Sequence, residues 1–178
     1  MSNKMELRLA GSGGQGVILA TVILAEAAVI AGKHTAQSQS YGPEARGGSC
    51  KAEVIISDEA IGFTKVTHPT FLLALTQASL DKYSKGLPDD CIVMIDSGLK
   101  APEEVDPSRI ISLPILATAK EKVGKAFTAN IVAVGAINQV LHLVDNAHLK
   151  EAVMLHIPAG TERLNGMALK AGIALVEE

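Results

Sequence analysis

The sequence is poor in aromatic residues and has no long basic segment. Phe, Tyr and Trp make up 3% of its 178 residues, and Trp is absent. Ring platforms on which bases could stack are therefore scarce, and the core must be built from Ala, Val, Ile and Leu packed through small side chains. The net charge is −3. Because a phosphate backbone requires a basic surface, we expect no nucleic-acid partner.

Cysteine is also scarce. The sequence has only Cys50 and Cys91, and they form no C-x-x-C motif. The chain therefore lacks the spacing that ligates zinc or an iron–sulfur cluster, and any such cluster would have to be held by another chain. We predict that both cysteines are reduced thiols in the core of a cytoplasmic protein.

Charged residues make up only 20% of the chain, against 48% hydrophobic residues and a mean hydropathy of +0.27. This is more apolar than an ordinary soluble monomer of this size, so we expect part of the surplus at subunit interfaces. The apolar run 17–31 follows a glycine loop and contains Glu26. It is too short to span a bilayer and is not a signal peptide, so no membrane association is expected. The length predicts one domain over residues 1–178.

Strand and helix patterns alternate along the chain. Apolar alternation and short apolar runs predict strands at 5–10, 49–57, 71–76, 91–95 and 109–113. Helical patterns cover 17–31, 77–85, 114–123, 131–144, 145–157 and 161–176, with Thr128 or Asn130, Asp145 and Thr161 as candidate caps. We predict an α/β fold: a Rossmann-like three-layer α/β/α sandwich with a largely parallel, or mixed, central sheet.

Three further patterns refine this fold. Residues 34–41 read HTAQSQSY, which is polar on both faces of a strand and predicts an edge strand or the lining of a site. The runs 71–76 and 91–95 are apolar throughout, which predicts central strands covered on both faces. The strand at 49–57 alternates and is predicted to be half-buried.

A first glycine loop separates the first strand from the first helix. Gly11, Gly13 and Gly16 fit G-x-G-x-x-G, a setting in which backbone N–H groups can hold a phosphate. Dinucleotide binding also needs an acidic residue about twenty positions later, and 32–38 has none, so NAD is not favoured. A tight packing turn and an anion-binding loop both remain open. The candidate binding residues are Gly13, Gly14, Gln15 and Gly16.

A second loop follows residue 40 and combines flexible positions with charge. The planar guanidinium group of Arg46 could bind a carboxylate or a phosphate through two hydrogen bonds. Glu44 could orient Arg46 or pair with another chain. A purely local ion pair between Glu44 and Arg46 is the alternative. The candidate residues of this loop are Ser40, Tyr41, Gly42, Pro43, Glu44, Arg46 and Gly47.

Three segments carry a family resemblance: GSGGQGVILA at 11–20, QSYGPEARGGSCKAEVIISDEAI at 39–61 and NIVAVGA at 130–136. In this order they resemble the gamma subunit, or gamma domain, of the 2-oxoacid:ferredoxin oxidoreductases, over nearly the whole chain. The segment SYGPEARGG is most similar to the 2-oxoglutarate (2-oxoglutarate synthase) members. Branched-chain 2-oxoacid enzymes have a similar loop, and the loops of pyruvate and indolepyruvate enzymes diverge more.

The resemblance implies a reaction in which a 2-oxoacid, coenzyme A and oxidised ferredoxin give acyl-CoA, carbon dioxide and reduced ferredoxin. It also implies alpha and beta partner subunits, with or without a ferredoxin-like delta subunit. Those partners would hold thiamine diphosphate, magnesium and iron–sulfur clusters. This chain has no G-D-G segment for the diphosphate, and its five histidines follow no triad spacing, so we assign it no catalytic residue.

The resulting hypothesis places both loops together at the carboxyl edge of the sheet, where α/β proteins bind ligands. There Arg46 would meet an anionic group of coenzyme A or a partner's carboxylate, and the chain would support assembly and the coenzyme A entrance. Two rival functions remain: a free-standing nucleotide-binding oxidoreductase, and a non-enzymatic assembly protein. The apolar helices would also allow the isolated chain to form a homo-oligomer.

Overall fold

The computed structural model describes residues 4–41 and 49–177. Within these residues the strands are β1 Met5–Ser12, β2 His34–Tyr41, β3 Ser49–Ser57, β4 Phe71–Ala74, β5 Ile92–Asp96 and β6 Ile110–Leu113. The helices are α1 Val17–Ile30, α2 Gln77–Tyr83, α3 Ile115–Ala117, α4 Ala129–Leu141, α5 Asn146–His156 and α6 Glu162–Glu177. A π-helical turn, Thr118–Val123, continues α3, and short 3-10 turns occur at Pro107–Arg109 and Ala126–Thr128.

The strands form one mixed sheet in the order β2-β3-β1-β4-β5-β6. The pairs β1/β4, β4/β5 and β5/β6 are parallel, whereas β1/β3 and β2/β3 are antiparallel. The sheet is therefore mixed and mostly parallel, which confirms the prediction of a largely parallel sheet that could also be mixed. The polar strand β2 lies at the edge of the sheet, and the apolar strands β4 and β5 lie inside it, as their patterns predict.

Helices cover the two faces of the sheet unequally. The larger apolar core lies between the sheet and α1, α4, α5 and α6. On the other face a smaller core joins β4 and β5 to α2 and the segment before β6, through residues such as Leu72, Leu80 and Val105. The predicted α/β fold with helices on both faces is confirmed, with one layer much thinner than the other.

One local prediction was wrong, and two others were only partly correct. The strand β3 is not half-buried along its length, since it lies inside the sheet between β2 and β1 and its residues 52–57 are all buried. Thr128 occupies the N-cap of α4, but its hydroxyl donates to the Lys125 carbonyl at 2.7 Å and does not cap the helix. Asn130 lies in the first turn of α4, where its Oδ1 atom accepts a hydrogen bond from the Ile131 backbone N–H at 2.9 Å. Asp145 does occupy the N-cap of α5, but without a side-chain bond.

Glycines allow α4 and α6 to cross at close range. A Cβ atom added at Gly135 would lie 2.5 Å from the carbonyl oxygen of Leu169, and one at Gly172 would overlap the carbonyl group of Val132. Backbone atoms cannot rotate away as side chains do, so both positions require glycine. Among the described residues, no helix is both long and apolar enough to cross a membrane.

A buried carboxylate, Glu6 on β1, fixes the segment before β4. Its Oε2 atom accepts hydrogen bonds from the backbone N–H groups of Thr67 at 2.7 Å and His68 at 2.9 Å, and Lys4 pairs with its Oε1 atom. Burial raises the pKa of Glu6, but the bonds from Lys4, His68 and Thr67 outweigh burial, so the pKa is lowered from its ordinary 4.5. The ionised form of Glu6 therefore stabilises the fold.

This arrangement predicts acid-sensitive stability. Because the folded-state pKa is the lower one, the contribution of Glu6 is present above about pH 4.5 and is lost as pH falls through the folded value. Replacing Glu6 by Gln should lower the urea midpoint at pH 7, and the difference from the native chain should shrink towards pH 3. The same replacement at exposed Glu59 is the control. A difference that stays constant with pH would contradict the prediction.

Candidate functional site

The strand register brings the flanks of both predicted loops to one edge of the sheet. Gly11 at the end of β1 is opposite Cys50 on β3, which is opposite Tyr41 on β2. One residue further out, Ser12 is opposite Ser49. The glycine loop and both ends of the second loop therefore lie at the same rim, where the parallel strands also have their carboxyl ends.

The second loop itself falls outside the described residues. Ser40 and Tyr41 end β2 at the rim, and Ser49 begins β3 there. The remaining candidates of this loop are not described; they are Gly42, Pro43, Glu44, Arg46 and Gly47. The predicted role of Arg46 stays a prediction.

The glycine loop is closed by its own glutamine. The Gln15 side-chain oxygen accepts a hydrogen bond from the Ser12 backbone N–H at 2.7 Å, and the Gln15 N–H donates to the Ser12 carbonyl at 3.2 Å. Gln15 thus shapes the turn rather than reaching out of it. Gly14 and Gly16 have φ angles of +90° and +75°, a region that L side chains rarely adopt.

The tip of this loop leaves its backbone open. Gly13 and Gly14 are exposed, and a Cβ atom at either would have no neighbour within 4 Å. A ligand or a partner chain can therefore approach the main chain here, just before the N-terminus of α1, whose partial positive charge favours anions. Both interpretations of the loop, as a packing turn and as a ligand-approach loop, fit this geometry.

A second helix N-terminus adjoins the loop, and sequence reasoning missed its contact. The Asn130 side-chain Nδ2, in the first turn of α4, lies 3.5 Å from the Gly16 carbonyl oxygen. A Cβ atom at Gly16 would be 2.6 Å from this Nδ2 atom. The sequence identifies Asn130 only as a candidate helix cap and as the first residue of the motif 130–136. Because the two residues are 114 positions apart, no local pattern could have paired them.

Of the two cysteine thiols, Cys50 lies at this rim, whereas Cys91 precedes β5 at the opposite edge of the sheet. Burial raises the pKa of the Cys50 thiol, and it raises that of Cys91 to about 11, so both favour the protonated form. Cys91 is buried as predicted, whereas Cys50 is only half-buried. Across residues 4–41 and 49–177, no cluster of three or more His, Cys, Asp or Glu side chains has metal-binding geometry.

The chain matches the family model described as pyruvate ferredoxin/flavodoxin oxidoreductase over residues 6–175. It is 40% identical to the 2-oxoglutarate synthase subunit KorC of Methanocaldococcus jannaschii, over 98% of this chain and 95% of that protein. Its fold is similar to that of the keto/oxoacid ferredoxin oxidoreductase gamma subunit from Geobacter sulfurreducens, as seen in a crystal structure, with a TM-score of 0.85. The two sequences are 42% identical, and the match covers 97% of this chain and 98% of that one.

A more distant structure shares the fold. The 2-oxoglutarate:ferredoxin oxidoreductase of Magnetococcus marinus, solved with 2-oxoglutarate, coenzyme A and succinyl-CoA bound, is 21% identical and has a TM-score of 0.85. The likeness covers 98% of this chain but only 31% of that one. In that enzyme the fold is thus one part of a longer polypeptide.

The chain belongs to the pyruvate ferredoxin/flavodoxin oxidoreductase family. Within it, the chain is a gamma subunit of a multi-subunit 2-oxoacid:ferredoxin oxidoreductase. The resemblance noted in the sequence is confirmed at this level.

Proposed function

We propose that this chain is the gamma subunit of a cytoplasmic 2-oxoglutarate:ferredoxin oxidoreductase and forms part of the entrance for coenzyme A. The complex would convert 2-oxoglutarate, coenzyme A and oxidised ferredoxin into succinyl-CoA, carbon dioxide and reduced ferredoxin. The 2-oxoglutarate synthase relative, matched over 95% of its length, supports the choice of oxoacid. The Magnetococcus enzyme, which binds coenzyme A, supports the choice of ligand.

One observation carries the proposed entrance. The register that sets Gly11 beside Cys50 and Tyr41 brings the flanks of both loops to the carboxyl edge of the sheet. Ligands of open α/β sheets bind outside this edge. Open backbone at Gly13 and Gly14, together with the adjoining N-termini of α1 and α4, makes the rim suited to an anionic ligand.

The bond-breaking chemistry is assigned to the partner chains. Thiamine diphosphate, magnesium and iron–sulfur clusters supply decarboxylation and electron transfer in such a complex. The described part of this chain offers no donor set for a metal or cluster. We therefore propose that the alpha and beta subunits, with or without a ferredoxin-like delta subunit, hold these groups. This chain would orient coenzyme A and complete the wall of the site.

Co-expression with candidate alpha and beta subunits tests the proposal. We expect the chains to co-purify and to form succinyl-CoA only when 2-oxoglutarate, coenzyme A and ferredoxin are all present. Replacing Arg46 by Ala should raise the KM for coenzyme A about tenfold, because a charge-assisted hydrogen bond contributes roughly 1.5–3 kcal/mol. The same replacement at Arg163, an exposed arginine on α6, is the matched control.

The possible results separate the parts of the proposal. An intact complex with unchanged kinetics in the Arg46→Ala variant would contradict the role of Arg46. Turnover of a different 2-oxoacid would contradict the choice of 2-oxoglutarate while leaving the coenzyme A role in place. Failure of the chains to associate would contradict the whole assignment.

A further inference from the structure

A group of cations gathers on the face of the sheet opposite α1. The charged groups of Arg8 on β1, Lys51 on β3 and Lys82 on α2 lie 5.9, 5.9 and 5.3 Å from the centroid of the Tyr83 ring. Together with Glu53 on β3, these side chains are called the basic cluster here. Three separate elements therefore direct positive charge towards one ring.

The basic cluster has more positive than negative charge. Glu53 Oε1 accepts from Arg8 Nε at 2.7 Å and from Lys51 Nζ at 3.2 Å, so two cations share a single carboxylate oxygen. In residues 4–41 and 49–177, no other carboxylate pairs with Arg8, Lys51 or Lys82. The next acid on this face of β1, Glu6, is already bonded to Lys4 and two backbone amides.

Two of the three cations are also partly shielded from solvent. The side chains of Arg8, Lys51 and Glu53 are 18%, 24% and 10% exposed, whereas Lys82 is exposed at the outer side of the cluster. Partly buried charges are screened less by salt than exposed ones and act more strongly on a neighbouring ion. The surplus stands out because the chain as a whole has a net charge of −3.

Hydroxyl groups surround the cluster. Ser40 is opposite Lys51 and Ser38 is opposite Glu53 on the neighbouring strand β2, so all four side chains lie on the same face of the sheet. The Ser49 hydroxyl lies 3.4 Å from Lys82 Nζ. The apolar core of this face joins β4 and β5 to α2, and it includes no residue of β2 or β3. The part of this face around Ser38, Ser40 and Ser49 is therefore polar and bordered by cations.

We infer that the basic cluster is a phosphate-binding subsite. Phosphate oxygens accept hydrogen bonds from guanidinium, ammonium and hydroxyl groups together, and this is the set of donors present. Because Arg8 and Lys51 are largely buried, a small anion reaches them more readily than a carboxylate on a docked protein, and the exposed Lys82 leaves the approach open. Ser40 and Ser49 border the proposed coenzyme A rim, so the phosphates would be those of the nucleotide end of coenzyme A. The identity of this nucleotide, but not the presence of the subsite, rests on the proposed function.

Calorimetric titration of the full chain with adenosine 3′,5′-bisphosphate tests the subsite directly. We expect binding that weakens as salt is raised, and a Kd at least tenfold higher when Lys51 and Lys82 are both replaced by Gln. Arginine at the same two positions should restore binding. Lys85→Gln, which removes one positive charge just beyond α2 and so matches the single variant Lys82→Gln, should stay within twofold of the native chain. Lys82→Gln alone should raise the Kd severalfold, and it leaves the Glu53 pairs intact if the double variant folds poorly.

Kinetic measurements on the assembled enzyme test the subsite and the proposed function separately. A tenfold rise in the KM for coenzyme A in the double variant, absent in Lys85→Gln, would support the subsite. If the native complex forms acyl-CoA but the two variants have the same KM, the subsite is overturned and the proposed function stands. A change in the KM for ferredoxin instead of coenzyme A would also overturn it, in favour of an acidic protein. If the native complex forms no acyl-CoA, bisphosphate binding still supports the subsite, and its absence overturns it.

Discussion

Replacing Gly172 by Ala is expected to destabilise the chain by about 3 kcal/mol, an overpacking penalty at the upper end of the usual range. The added Cβ atom would overlap the carbonyl group of Val132, so α6 must move away from α4. The two helices pack together in the larger core, and separating them would disturb many of its contacts. For a domain of this length, the loss corresponds to a fall in Tm of roughly 6–12 °C.

The same helix provides a matched control. A Cβ atom at Gly166 would have Met154 Cε as its nearest neighbour, at 3.8 Å, which is an ordinary contact. Gly166→Ala should therefore stabilise the chain by roughly 0.5–1 kcal/mol, because alanine is the better helix former. Urea unfolding of both variants measures the contrast. Equal midpoints for the two variants would show that α4 and α6 do not cross as closely as described.

The sequence predicted the elements of the fold well where the signal was local. Within residues 5–30, the alternation of apolar and polar residues predicts β1, the glycines predict the loop, and the run of helix-forming residues predicts α1. The polarity of residues 34–41 on both faces predicts an edge strand or the lining of a site, and β2 does lie at the edge of the sheet. Such signals need no knowledge of which elements become neighbours.

Strand pairing was harder to predict, because it depends on connections rather than composition. Alternating strands and helices predict a largely parallel sheet, which β1, β4, β5 and β6 form, but they do not reveal that β2 pairs antiparallel with β3 and β3 with β1. No helical pattern separates residue 41 from residue 49, and a connection this short permits only an antiparallel neighbour. The insertion of β3 between β2 and β1 also explains why its Ile55 and Ile56 are both buried.

The long-range parts of the site had no sequence signal. The contact between Gly16 and Asn130 and the gathering of Arg8, Lys51 and Lys82 around Tyr83 both join residues from different elements. None of these residues belongs to a sequence motif that indicates such a contact. Only the sheet register and the position of α2 bring them together. The rim itself could be predicted because the carboxyl edge of a sheet follows from the strand order.

Replacing Gly16 by Ala is expected to destabilise the chain and to change the shape of the rim. The φ angle of +75° costs an L residue roughly 1–2 kcal/mol, and the new Cβ atom would lie 2.6 Å from Asn130 Nδ2. Relief of this overlap must displace either the glycine loop or the first turn of α4. We therefore expect a further loss of stability beyond the conformational cost, and a lower rate of acyl-CoA formation in the assembled enzyme.

Gly14 allows the two costs to be separated. Its φ angle is +90°, but a Cβ atom there would have no neighbour within 4 Å, so Gly14→Ala carries only the conformational cost. The difference in unfolding free energy between the two variants then measures the overlap with Asn130. Adding Asn130→Ala should recover most of this difference in the Gly16→Ala background, although alone it destabilises by removing the bonds to Gly16 and Ile131. If Gly14→Ala and Gly16→Ala are equally stable, the N-termini of α1 and α4 do not meet at this rim, and the anion-binding character proposed for the rim loses the contribution of α4.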